Sequence, residues 1–193
     1  MSQQGVPVRL TFLTPPATRE QRAGIFPSDE PLGEEAIARL GAVRWRVRVG
    51  ERVWSSPERR AVGCAEGLGL TPEVAPELRE CDFDGWRGRG LEELCGEDAD
   101  GVGQWLEDVT AAPHGGESYA ELMARVAGWM DGLGEAAVVV THASVVRAAV
   151  VHALSAPVEA FLRVEVGQLT RTELVRHRGQ WRLRSVGVPL GSE

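Results

Sequence analysis

Ala136-Ala137-Val138-Val139-Val140-Thr141-His142-Ala143-Ser144-Val145-Val146-Arg147 is the stretch that decides the fold of this chain. Ala136 to Val140 is an unbroken small and β-branched run, the pattern of a parallel strand buried on both faces. Thr141 to Ser144 closes that strand, and Val145 to Leu154 continues as a helix. In an α/β sheet, ligands bind beyond the carboxyl ends of the strands, so the turn that holds His142 is the first place to look for chemistry.

The same alternation extends outward in both directions. Ser118 is placed to cap a helix whose apolar residues Leu122, Val126, Trp129 and Met130 fall three or four apart, ending near Gly132 and Gly134. Toward the N-terminus, Val8 to Leu13 alternates as a strand and stops at Pro15-Pro16, which remove two backbone donors. Asp29 to Glu35 opens a helix from about residue 33 to 42, its acidic first turn matching the helix dipole. Val53-Trp54-Ser55 reads as a strand running into a helix, with Ser56 as its cap, Pro57 at its first position, and Ala61, Cys64, Ala65 and Leu68 as its buried stripe. Val164 to Val166, Leu169 to Val175 and Gln180 to Val186 read as strands around an Arg178-Gly179 turn. Residues 71–115, rich in Gly, Pro, Asp and Glu, are expected to cover the site as loops and short helices. The expected fold class is therefore α/β, a three-layer α/β/α sandwich with a mostly parallel central sheet, in one domain over residues 1–193.

Composition narrows the function classes. The chain has 193 residues, 43% hydrophobic and 25% charged, and a formal net charge of −7, which argues against a dominant polyanion-binding role. Arg44, Arg46 and Arg48 alternate in a basic stretch, read here as the solvated face of a strand and not a nucleic-acid interface. No apolar run approaches the roughly 20 residues of a membrane span, and no signal segment opens the chain, so a cytoplasmic protein is expected. Neither Lys nor Asn occurs and all 21 basic residues are Arg, which points to a GC-rich bacterial genome and excludes Schiff-base chemistry and a Lys-dependent phosphate loop. Cys64, Cys81 and Cys95 are widely spaced and read as free thiols; no His and carboxylate spacing calls for a metal, and no cofactor is expected. A homodimer is the generic expectation at this size.

Several segments resemble the histidine phosphatase (phosphoglycerate mutase-like) superfamily. Ser55-Ser56-Pro57-Glu58-Arg59-Arg60-Ala61 resembles its Ser-x-x-x-x-Arg-Ala signature, and Gly115-Gly116-Glu117-Ser118 its Gly-Glu-Ser. Asp29 to Glu35 resembles its Asp-x-Pro-Leu segment, Leu78 to Phe83 its Leu-x-Glu-x-x-Phe segment, and Val138 to Arg147 its second-histidine segment. The five occur in family order over about residues 8 to 185. The resemblance implies a phosphoglycerate mutase-like fold, with Arg60 as an anion-binding Arg, His142 as the second pocket His and Glu80 as general acid.

One segment departs from the pattern. Family members carry Arg-His-Gly-Glu-Thr after the first strand, with that His as nucleophile, and the aligned residues here are Thr14-Pro15-Pro16-Ala17-Thr18. Proline cannot attack phosphorus, and Thr14 in place of Arg removes a bidentate phosphate donor. Losing Arg plus His would remove several kcal/mol of phosphate affinity, at about 1.5–3 kcal/mol per charge-assisted hydrogen bond. The expectation is an enzyme that has lost phosphohistidine chemistry and uses His142 and Glu80 for proton transfer on a small anionic or polar substrate, by isomerisation, elimination, cyclisation or hydrolysis. Arg60, Thr14, Thr18, Gln21, Arg22 and Ala143 form its candidate substrate-binding set. The competing readings are a phosphatase with another nucleophile and a non-catalytic binding module. Each residue also has a structural reading: His142 packed, Arg60 paired with Glu80 or Glu58, Asp82 and Asp84 in a solvated loop. His114 is expected at the surface, His152 on a helix, His177 in the terminal hairpin, and Trp86 in core or rim packing near the cover.

Overall fold

The computed structural model describes residues 7–43 and 45–191. Its strands are β1 (Val8–Leu13), β2 (Arg52–Ser55), β3 (Glu73–Val74), β4 (Ala137–Val140), β5 (Thr170–His177) and β6 (Gln180–Pro189). They form one sheet in the order β3-β2-β4-β1-β5-β6. The first four lie parallel, with Leu10 opposite Ala137 and Leu13 opposite Val140, whereas β5 pairs antiparallel with β1 and β6 antiparallel with β5. The mostly parallel α/β sandwich expected from the strand and helix alternation is the observed fold.

Side chains alternate across a strand, and that alternation divides the core into two layers. Leu10 and Phe12 of β1 and Ala137 and Val139 of β4 face α6 (Tyr119–Gly132) and α7 (Ala143–Ala153). Leu13, Val138 and Val140 face the other way, against Leu40 of α2 (Glu34–Gly41) and Ala61, Cys64 and Ala65 of α3 (Arg59–Gly67). With both faces covered, β4 has no polar side chain along its length, as its sequence requires. Ser118 caps α6 through a complete capping box with Glu121. The remaining helices are α1 (Arg19–Arg22), α4 (Leu91–Glu97) and α5 (Ala99–Glu107); no helix among the described residues is long and apolar enough to cross a membrane.

Four local expectations are corrected. Ser56 does not cap α3: the helix starts at Arg59, whose backbone amide donates to Asp29 Oδ1 at 2.8 Å, so the cap arrives from a distant segment. Val164-Glu165-Val166 forms no strand; Val164 and buried Val166 instead anchor a loop on the core. Residues 45–48 are irregular, with Trp45 and Val47 packed on the α2/α3 side and Arg46 and Arg48 exposed, while Arg44 lies outside the described residues. The alternation was a burial pattern without a hydrogen-bonded ladder. His114 is buried, stacked edge-on against Phe83 and Trp86, because the Gly-Gly turn folds it inward beneath the aromatic cluster that also holds Phe26 and Trp105.

Candidate functional site

The parallel strands end together, and their carboxyl ends carry the chemically active side chains. Thr14 follows β1, Ser56 follows β2, and Thr141-His142 follows β4 and leads into α7. Ser56 N donates to Val140 O and Thr141 N to Leu13 O, at 3.0 Å each, so the three ends are tied in register. The cover approaches from residues 78–87, held by Thr141 Oγ1 donating to Leu78 O at 2.7 Å.

His142 and Arg60 lie at the centre, 2–3% and 1% exposed, each facing two carboxylates. His142 Nε2 is 2.9 Å from Glu58 Oε2 and 2.8 Å from Ser56 Oγ, and its Nδ1 is 3.7 Å from Glu80 Oε2. Arg60 donates to Glu80 Oε2 at 3.0 Å, and its other terminal nitrogen is 3.6 Å from Glu30 Oε1. Glu80 Oε1 accepts from Ser144 Oγ and, at 3.0 Å, from Cys81 N; Glu58 Oε1 accepts from Glu80 N at 3.1 Å. Three carboxylates thus surround one guanidinium and one imidazole.

The electrostatics follow from that arrangement. Burial pushes the Glu58 carboxyl up, yet the hydrogen bond and charge of His142, helped by Ser56, outweigh it and hold the group at about 2. Burial opposes ionisation of Glu80 as well, and there the charges of His142 and Arg60, with the Ser144 and Cys81 hydrogen bonds, again hold the group below the usual carboxylate range. Both carboxylates are therefore acceptors at neutral pH. That direction runs against a proton-donating Glu80.

A cavity of about 230 Å³ opens above this network, lined by Pro27 to Asp29, Pro57, Glu58, Arg60, Arg79 to Asp82 and Arg87. Glu58 and Glu80 form part of its wall, and His142 sits behind them. Among the described residues no group of three or more His, Cys, Asp or Glu side chains is arranged to hold a metal ion.

A family model, the histidine phosphatase superfamily (branch 1), matches residues 18–189. The chain belongs to that superfamily. A bifunctional protein of Mycobacterium tuberculosis is 31% identical over 158 residues, 75% of this chain and 43% of that protein. A glucosyl-3-phosphoglycerate phosphatase of the same species is 37% identical over 108 residues, 50% of this chain and 46% of that one. The matched region thus spans less than half the length of either relative. The alpha-ribazole phosphatase from Shigella flexneri, a solved structure, superposes with a TM-score of 0.82 over 96% of this chain and 100% of its own; at 23% identity it speaks to the fold alone.

In this histidine phosphatase superfamily member the expected site residues divide into two groups. His142, Glu80 and Arg60 converge, and Ala143 adjoins them as the first residue of α7. Of the other four, Thr18 reaches the cluster only through Glu30, and Thr14, Gln21 and Arg22 are bonded elsewhere. Thr14 is 2% exposed, with its hydroxyl 2.8 Å from Gly167 O and 3.0 Å from Thr170 Oγ1, so it ties β1 to the segment before β5. Thr18 caps α1, with the Gln21 side chain closing the capping box, and its hydroxyl donates to Glu30. Arg22 is exposed and donates to Ala17 O at 2.8 Å. Asp82 lines the cavity and accepts from Arg87, whereas Trp86 is core.

Sequence reasoning weighed Glu58 only as an Arg60 partner, although the structure gives it to His142. Its place inside the Ser55–Ala61 signature was the available signal. Glu30 and Ser144 carried no comparable mark.

Proposed function

We propose that this chain uses its pocket for acid–base chemistry on a small polar organic substrate, without a phosphohistidine intermediate. Isomerisation, elimination, cyclisation and hydrolysis are the reaction types within reach of such a site. The observation that carries the reading is at the end of β1, where Pro15 stands at the place the family resemblance gives to the nucleophilic His and the Thr14 hydroxyl is taken up by Gly167 and Thr170. In-line attack on phosphorus requires a nucleophile held opposite the leaving oxygen, and Pro15 has no atom able to play that part.

The remaining groups support proton transfer. Glu80 faces the cavity as an ionised acceptor and exchanges a proton with the substrate. His142 Nδ1 lies 3.7 Å behind it, and Arg60 holds the Glu80 carboxylate in place. Ser144 fixes the second oxygen of Glu80, which narrows its orientation.

A second reading, a phosphatase working through another nucleophile, is favoured by the 37% identity to a glucosyl-3-phosphoglycerate phosphatase over half of the chain. One experiment separates them. The full chain and its His142→Ala variant are incubated with p-nitrophenyl phosphate, and both nitrophenolate release and acid-labile phosphoprotein are followed. The expected result is turnover no higher than in His142→Ala and no phosphoprotein; His142-dependent turnover overturns the acid–base reading in favour of the second.

A further inference from the structure

We propose that the Glu58 carboxylate is an internal anion, seated on the donors that a bound anion would otherwise use, and that it sets the specificity of the site against phosphate esters. This inference rests on the acid–base reading above and extends it to ligand class.

The donors are unusually well defined. His142 Nε2, Ser56 Oγ and the Glu80 backbone amide converge on one small volume, with the His142 and Ser56 side chains buried. Glu58 reaches them from the cavity side: Oε2 lies 2.9 Å from His142 Nε2, Oε1 accepts from Glu80 N at 3.1 Å, and the side chain remains 18% exposed as part of the cavity wall. Such charge-assisted contacts are those an oxyanion forms in a binding pocket. Two residues further on, Arg60 is 1% exposed and one terminal nitrogen has no hydrogen-bond partner among the described residues. That donor set is therefore met by carboxylates of the chain itself, and still incompletely.

Occupancy by Glu58 has two consequences. An incoming phosphate must displace a carboxylate that is already well held, and must do so beside Glu80, so like-charge repulsion adds to the loss of contacts. Conversely, the cavity sets the acceptors Asp29, Glu58, Glu80 and Asp82 beside Arg60, Arg79 and Arg87, a mixed lining that suits a neutral ligand bearing O–H or N–H groups. Deleting the Glu58 side chain leaves the Glu80 amide without its acceptor and the His142 Nε2–Ser56 Oγ pair without its carboxylate, and donors freed in this way favour uptake of a small anion.

The test is calorimetric titration of orthovanadate, and separately of inorganic phosphate, into the full chain, Glu58→Ala, Glu58→Gln and the Glu58→Ala/His142→Ala double variant. The wild type is expected to give no binding heat at millimolar anion. Glu58→Ala should bind at least tenfold more tightly, the double variant should lose that gain, and Glu58→Gln, which removes the charge and keeps the bulk, should fall between wild type and Glu58→Ala. Should Glu58→Ala fail to fold, Glu58→Gln must still bind vanadate more tightly than the wild type. Wild-type affinity equal to that of the variants overturns the inference, as does the absence of any gain in a folded variant. Either result with the wild type inert toward p-nitrophenyl phosphate leaves the acid–base reading standing, whereas wild-type turnover removes that reading itself.

Discussion

Replacing Glu58 by Gln should remove a block of stability with a defined pH dependence. In the folded protein the carboxyl is held at about 2, against an ordinary 4.5. A group lowered in this way contributes fully above its unfolded value and loses its contribution as pH falls from about 4.5 toward about 2. At about 1.36 kcal/mol per pH unit that interval amounts to roughly 3 kcal/mol, a ceiling that solvent access to the side chain trims toward about 2 kcal/mol. For a chain of this size about 2 kcal/mol corresponds to a melting point lower by about 4–8 °C at pH 7. The assay is urea denaturation of wild type and Glu58→Gln from pH 7 to pH 3. Their difference should stay constant down to about pH 5.5 and then narrow steadily toward pH 3, because only the wild type has a carboxylate at position 58 to protonate. A gap of the same size at every pH would refute the reasoning, since it would assign the loss to packing; no gap at pH 7 would refute it equally.

Arg60→Met leaves Glu80 and Glu30 without their buried cation, and removal of one partner from such a cluster costs about 3–5 kcal/mol. Adding Glu80→Gln should recover part of that loss in urea denaturation, and strictly additive losses would contradict the coupling. Gly116→Ala would set a Cβ 2.0 Å from the Asp82 carbonyl oxygen, so the 112–117 turn must part from the cover; a loss above about 2 kcal/mol and new protease cleavage near residues 82–90 are expected, and an unchanged melting point would deny the close approach. Ser118→Ala removes the hydroxyl half of a complete capping box and should cost about 1 kcal/mol by thermal denaturation.

The layers were legible because their patterns are local. Val138 to Val140 needs no partner to be read as a doubly buried strand, and Ser118 with Glu121 is a capping box within four residues. Legibility failed where the deciding contact was distant. Ser56 looked like a cap because serine before proline is a helix start in most contexts; the cap is Asp29, and the Ser56 hydroxyl belongs to a histidine 86 residues away. His114 looked exposed beside two glycines, yet the turn those glycines permit is what lays it under Phe83 and Trp86. In the site, motif order gathered Arg60, Glu80 and His142, but no pattern announced that Glu58 would close over the last of them. Thr14 and Thr18 bound the altered segment and Gln21 follows it, and the structure spends their polar groups on Gly167 and Thr170, on Glu30 and on the start of α1.

The ion cluster bears on what Arg60 and His142 mean. A guanidinium 1% exposed must have counterions in the fold whatever the protein does, because an unpaired buried charge costs several kcal/mol. Glu80 and Glu30 provide them, so the presence of Arg60 is accounted for by electrostatics before any substrate is considered. Glu58 is different. Its carboxylate and that of Glu80 form part of the wall of a 230 Å³ cavity, where contact with solvent lowers the desolvation cost of both charges while weakening their pairing with His142. Two ionised carboxylates facing a cavity, each held below the usual carboxylate range by buried cations behind them, are acceptors that a ligand can meet. In the proposed acid–base reading, Glu58 and Glu80 are the carboxylates a ligand meets beside Arg60, and His142 behind them sets their charge.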